Sequence, residues 1–334
     1  MQSVGNFLHS ALARRAWNLS GWLMASVLIA LTGCGDGPVA VDEAPTVSDP
    51  SFAVGDVIIG LGLESLPGPI PTYYSPGSRA RAEQLQSWLR GADAFLRDRL
   101  DVAPSFSLAV LSEADWAALS PGPYGVPFAA SQDPKFVVLP AAPERSVVTG
   151  IYAAARTELP AGAAADLERL GISYDEAVDQ IVDLIGFHEV GHIYIAELGY
   201  HKGNTARWLE ELLATYAAYS YLDVAQPSSI VVWNALSEAM IGFVDPVSRS
   251  LDDFNTLYIQ GLGPATYGWF QSHFNLRDDS VVHQRPRATW FRQLAGAGLD
   301  QDTRQIPTSE LLNRLRGYMP SFTQWAADAG LEYH

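Results

Sequence analysis

An α+β fold, with a mixed β-sheet and one long helix in the N-terminal part and a mostly helical subdomain after it, is what the sequence predicts, and three observations carry that expectation. Short β-rich runs bounded by Pro occur between about residues 51 and 149; helix periodicity takes over from about residue 150; and the two kinds of segment are segregated, not alternating as a parallel sheet requires. Composition permits such a body. Of 334 residues, 48% are hydrophobic and 17% charged, too apolar for a disordered chain and enough to bury a sizeable core.

The elements follow in order. From Arg79 to Leu100, apolar residues recur at Ala82, Leu85, Leu89, Ala92, Phe95, Leu96 and Leu100, the three-and-four spacing of an amphipathic helix. Phe106 to Leu111 and Phe136 to Leu139 are dense in β-branched and aromatic residues and read as strands, with the turn-rich PGPYGVPFAASQDP between them as a loop. Helices are expected over Ser173 to Leu198, Thr205 to Leu222, Ser229 to Ile241, Ala265 to Phe274, Ser309 to Gly317 and Ser321 to Ala329, with Gly or Pro between most of them. Residues 51–334 are thus read as one body in two parts, 51–149 and 150–334.

Charge and cysteine usage narrow the function. Twenty-one Lys and Arg stand against 37 Asp and Glu, a formal charge of -16, and no basic run occurs, which argues against nucleic acid as a partner. A single cysteine excludes a disulfide framework and any Cys-based zinc site, so a bound metal must rest on His and carboxylate. Residues 1–33 hold Arg14 and Arg15, no acid, and the ten-residue apolar stretch Trp22 to Leu31, too short to span a bilayer and of the pattern of a secretory signal peptide. Leu31-Thr32-Gly33-Cys34 resembles the bacterial lipobox, which makes Cys34 the lipidated residue, and residues 34–50, with four acids and three prolines after the cysteine, read as an extended tether. Gly35 after that cysteine implies, by the same resemblance, an outer-membrane address in the cell envelope.

The chemistry centres on Phe187-His188-Glu189-Val190-Gly191-His192, an HExxH. Four helical residues turn through roughly 400°, so His188 and His192 share a face one turn apart and can meet one ion, while Glu189, about 100° round, reaches a water on that ion without ligating it. Two imidazoles and a carboxylate leave a fourth position of zinc open to water, whose pKa then falls toward 7, and the chemistry implied is hydrolysis. The next helix, Trp208-Leu209-Glu210-Glu211-Leu212-Leu213-Ala214-Thr215-Tyr216, offers that carboxylate: Glu211, nineteen residues after His192, with Glu210 and Glu197 as competitors.

On these residues the chain resembles the gluzincin zinc metallopeptidases, the group of thermolysin and the aminopeptidase N family, in which HExxH is followed by a glutamate ligand in a W-x-x-E-(G)-x-A context. The resemblance implies His188, His192 and Glu211 as metal ligands, zinc as cofactor and Glu189 as general base. Leu212 stands where the family usually has Gly, which leaves the approach of the second helix open. For the oxyanion of acyl transfer it implies a Tyr or His donor, and Tyr258, in Tyr-x-x-Gly, and Tyr267 are the candidates, each of which also fits a packing role. His201, His273 and His283 are alternatives, Asp183 fits an imidazole-orienting role or a structural one, and Arg285, Arg287 and Arg292 fit a substrate-facing cluster or solvated surface. Lys135 to Pro140 resembles the edge strand of the gluzincin sheet, to which an extended peptide can add. The Gly-x-Met-Glu-Asn string that holds a free amino terminus in aminopeptidase N relatives is absent, so internal cleavage is expected. The resemblance spans about residues 70–275, with its specific motifs within 187–216. The expected protein is a membrane-tethered zinc endopeptidase acting on peptide or protein substrates in the envelope; the alternative is a non-catalytic envelope lipoprotein that keeps a structural zinc site.

Overall fold

A computed structural model describes residues 54–119, 123–200, 205–294, 298–299, 302–319 and 321–334. The expectations for the signal peptide, the tether, Cys34 and His201 lie outside the described residues. The chain runs through α1 (Val54–Gly60), β1 (Glu64–Leu66), β2 (Thr72–Tyr74), α2 (Arg79–Leu100), β3 (Ser107–Leu111), α3 (Glu113–Leu119), β4 (Phe128–Ala130) and β5 (Phe136–Pro140). Helices follow: α4 (Val147–Ala154), α5 (Ala161–Leu170), α6 (Tyr174–Val178), α7 (Ile181–Glu197), α8 (Arg207–Ala225), α9 (Pro227–Phe243), α10 (Leu251–Gln284), α11 (Phe291–Leu294), α12 (Thr308–Tyr318) and α13 (Ser321–Asp328). The fold is α+β, a small mixed sheet followed by many helices.

The five strands lie in the order β1-β2-β3-β5-β4, antiparallel at both ends and parallel in the middle. Side chains alternate across the sheet, and both faces are covered. Leu108 and Val110 of β3 and Val137 and Leu139 of β5 enter the main core, while Ala109, Leu111, Phe136 and Val138 pack with Ile58 of α1 and Trp116 of α3. Burial on both faces explains why these two strands read as continuous apolar runs.

One sequence expectation is corrected at the sheet edge. The strand at residues 136–140 is not the edge: β5 pairs with β3 on one side and with β4 on the other, Phe128↔Val138 to Ala130↔Phe136. The edge on this side is β4, inside the stretch read as a loop, where three residues between Pro127 and Ser131 are too few to show a period.

The helix expected from Ser173 to Leu198 is two helices. Ser173 and Glu176 form a capping box that starts α6. Gln180 then ends it, because its backbone N–H donates to Ala177 O at 3.1 Å and its side-chain amide donates to Glu176 O at 2.9 Å, the carbonyl a continuing helix would have used. From Ile181 the chain starts again as α7, which is buried almost all round, as befits a helix packed on every side. It lies against α2, β4 and β5 and against α8, and α8 in turn packs against α10.

α10 begins before and ends after the expected Ala265 to Phe274. Its first turn is set by Ser250, whose hydroxyl accepts from the N–H groups of Asp252 and Asp253. It is interrupted, with non-helical backbone at Tyr258 (φ 46°, ψ -158°) and Gly263 (φ 76°, ψ 158°), and Pro264 follows. Among the described residues no helix is long and apolar enough to cross a membrane.

Candidate metal centre

Three helices supply the site. α7 carries His188, Glu189 and His192, α8 carries Glu210 and Glu211, and α10 carries Tyr258, Tyr267 and Gln271. His188, His192 and Glu211 are all buried, and their ligand atoms converge: His188 Nε2 lies 3.0 Å from His192 Nε2 and 3.1 Å from Glu211 Oε2, which is 3.4 Å from His192 Nε2. These three residues form a group that can hold a metal ion.

A hydrogen bond behind His188, and a carboxylate behind His192, set which ring nitrogens face that common point. Thr215, one turn beyond Glu211 on α8, donates its hydroxyl proton to Glu211 O at 3.0 Å and stands 3.0 Å from His188 Nδ1. With its own proton spent, the Thr215 oxygen accepts from Nδ1–H, which leaves a lone pair on Nε2. Gln271 Nε2 donates to the same oxygen at 2.9 Å. Behind His192, Glu210 Oε1 stands 3.5 Å from Nδ1, and Arg207 reaches the other Glu210 oxygen at 3.5 Å. Thr215, Gln271 and Arg207 were not singled out from the sequence. Thr215 follows Glu211 by four residues, and Gln271 follows Tyr267 by four, so each shares a helix face with a residue that was.

The electrostatics are those of a negative pocket. Burial alone pushes the His192 imidazole down, but Glu211, Glu210 and Glu189 outweigh it and hold the ring up at about 10. Burial pushes the Glu211 carboxyl up, and His192 and His188 outweigh that, holding it well below the usual carboxylate range. Glu189 is buried and near enough to act on His192 and on both tyrosines. A proton or a cation must therefore stand among these acceptors.

Glu211, not Glu210, joins the two imidazoles. Glu210 faces the far nitrogen of His192, and Glu197 is held 2.7 Å from Lys135 Nζ at the end of α7. Both candidate tyrosines reach the site, and both bind Glu211: the Tyr258 hydroxyl donates to Oε1 at 2.5 Å and the Tyr267 hydroxyl to Oε2 at 2.9 Å. Burial first, and Glu211 second, raise both phenols well above their ordinary value, so each keeps the proton it donates.

Other candidates are engaged elsewhere. Asp183 pairs with Arg81 of α2 and orients no imidazole. His273 packs edge-on against Trp269 with ring centroids 4.3 Å apart, and His283 is exposed beside Asp279. Arg285 donates to Gln293 and Gln284, and Arg287 and Arg292 are exposed. The chain matches no protein-family profile, no curated protein and no solved structure.

Proposed function

We propose that this protein is a zinc-dependent metallopeptidase of gluzincin type, cleaving within peptide or protein substrates in the cell envelope and anchored there through a lipidated Cys34. The observation that carries the reading is the triangle of His188 Nε2, His192 Nε2 and Glu211 Oε2 with sides of 3.0, 3.1 and 3.4 Å. In a tetrahedral zinc site with bonds of about 2.0–2.1 Å, neighbouring ligand atoms stand roughly 3.3 Å apart, so this donor set fits the ion in size, number and chemistry. Charge supports the same ion: of three buried carboxylates, Glu210 faces Arg207, and those of Glu189 and Glu211 match a divalent cation.

Zinc held there supplies Lewis acidity, polarising a carbonyl and bringing water within reach of a weak base at neutral pH. The protein's own groups do the rest. Glu189, next to the ligands on α7 but outside the ligand group, takes the proton from the attacking water and returns it to the leaving amine. Thr215 holds His188 in the tautomer that presents Nε2, and the Glu210 carboxylate, 3.5 Å from His192 Nδ1, favours a proton on that nitrogen. β4, the sheet edge packed against α7, offers backbone groups for an extended peptide to pair with.

A structural zinc site closes its shell with four protein ligands, whereas this group has three among the described residues. That difference favours catalysis over the non-catalytic alternative. Replacing Glu189 by Gln tests the assignment: zinc stays bound and hydrolysis of an unbiased peptide mixture is lost. Turnover that survives Glu189→Gln contradicts the role of that residue, and zinc-loaded wild type that cleaves nothing supports the structural alternative.

A further inference from the structure

Nine residues separate Tyr258 from Tyr267, and nine residues of unbroken helix turn through about 900°, which sets two side chains on opposite faces. Both phenols nevertheless meet one carboxylate, at 2.5 Å from Oε1 and 2.9 Å from Oε2 of Glu211, with their rings edge-on and centroids 5.5 Å apart. The break in α10 makes this convergence. Gly263, at φ 76°, adopts its conformation without a side-chain clash, but Tyr258, at φ 46° and ψ -158°, holds one that residues with a Cβ rarely take. Strain of that kind persists where the surroundings over-determine it. Here Arg207 lies 5.2 Å over the Tyr258 ring, Phe254 meets it edge-on at 5.7 Å, and Glu211 accepts its hydrogen bond.

We propose that the broken helix is a carboxylate clamp: Tyr258 is a positioning residue that occupies Oε1 of Glu211, so that the carboxylate offers a cation Oε2 alone and the remaining coordination positions stay open to water and substrate. The inference rests on the metal-site reading above. A carboxylate ligates through one oxygen or two, and a second oxygen from Glu211 would fill a position that hydrolysis needs. Tyr267, bonded to Oε2 from α10, takes one lone pair of that oxygen and fixes the rotation of the carboxylate. The other lone pair of Oε2, the oxygen 3.1 and 3.4 Å from the two imidazole nitrogens, is then the one that faces the cation. A merely structural bond would satisfy a buried phenol and leave the metal's surroundings unchanged when removed.

The test uses cobalt(II) in place of zinc in the full chain and reads the visible d–d absorption, which weakens as the coordination number rises. Wild type gives the intense band of a four-coordinate ion. Tyr258→Phe keeps one equivalent of cobalt but loses severalfold in band intensity, because both Glu211 oxygens now reach the ion. Gly263→Ala moves the spectrum the same way: space around its Cβ is open, so only the positive φ resists the methyl, and this variant decides the matter should Tyr258→Phe not fold. An unchanged spectrum with cobalt bound overturns the clamp and leaves the metal centre standing, as does loss of cobalt from a folded Tyr258→Phe. Wild type that binds no cobalt overturns both.

Discussion

Gly191 of α7 lies so close to Ala214 of α8 that a Cβ on the glycine would stand 2.4 Å from the Ala214 carbonyl oxygen. The glycine that lets the helices of His188, His192 and Glu211 approach therefore sits inside the HExxH, and not after Glu211, where the chain has Leu212. Gly191→Ala is expected to push α8 outward, destabilising the fold by about 1–3 kcal/mol as overpacked cores do. Because the displaced helix carries Glu211, zinc affinity should fall as well. Chemical denaturation and a zinc titration of the same variant check both halves.

Leu212 is fully buried in the main core. Leu212→Ala should cost about 2–5 kcal/mol, the usual range for emptying a buried leucine site, without improving zinc affinity. Tighter zinc binding by that variant would show that the leucine holds α8 back from the metal.

The Thr215 hydroxyl oxygen accepts a hydrogen bond from His188 Nδ1–H at 3.0 Å. Thr215→Val removes the acceptor at nearly constant volume, and zinc affinity should drop about 10-fold to 100-fold, while Thr215→Ser retains it. Competition with a chromophoric chelator measures all three proteins on one scale. Equal affinities would show that the His188 tautomer is set by something else.

Burial, and then the charge of Arg249, lower the His273 imidazole from 6.5 to about 4. The unfolded chain thus binds a proton between these values that the folded chain refuses, so stability is whole above pH 6.5 and is lost as pH falls toward 4. The loss reaches roughly 3 kcal/mol at most. His273→Gln should flatten this part of the stability profile, read from denaturant midpoints across the range; an unaltered slope would place the acid sensitivity in other groups.

What the sequence made legible follows from the length of each signal. Arg79 to Leu100 was readable end to end because six turns of apolar repeat leave one solution, and it closes at Asp101 in a left-handed conformation. β1, β2 and β4 have three residues each and no resolvable period, and they exist because neighbouring strands offer hydrogen bonds. At the site, the two histidines and Glu211 were legible from spacing and likeness of motif, since helix geometry fixes which residues share a face. The tyrosines were legible as candidates but not in their contact: only the break at residues 258 and 263 turns both toward Glu211, and that break depends on tertiary partners such as Arg207. Gly-Leu-Gly-Pro at residues 261–264 marked the end of the break but not its beginning.

The most direct test compares zinc content in three purified forms of the folded protein: wild type, Glu211→Gln and Glu210→Gln. One equivalent in wild type, none in Glu211→Gln and one in Glu210→Gln is the outcome that follows from two imidazoles and the second glutamate meeting at a point. Zinc retained without Glu211, or absent from wild type, contradicts it.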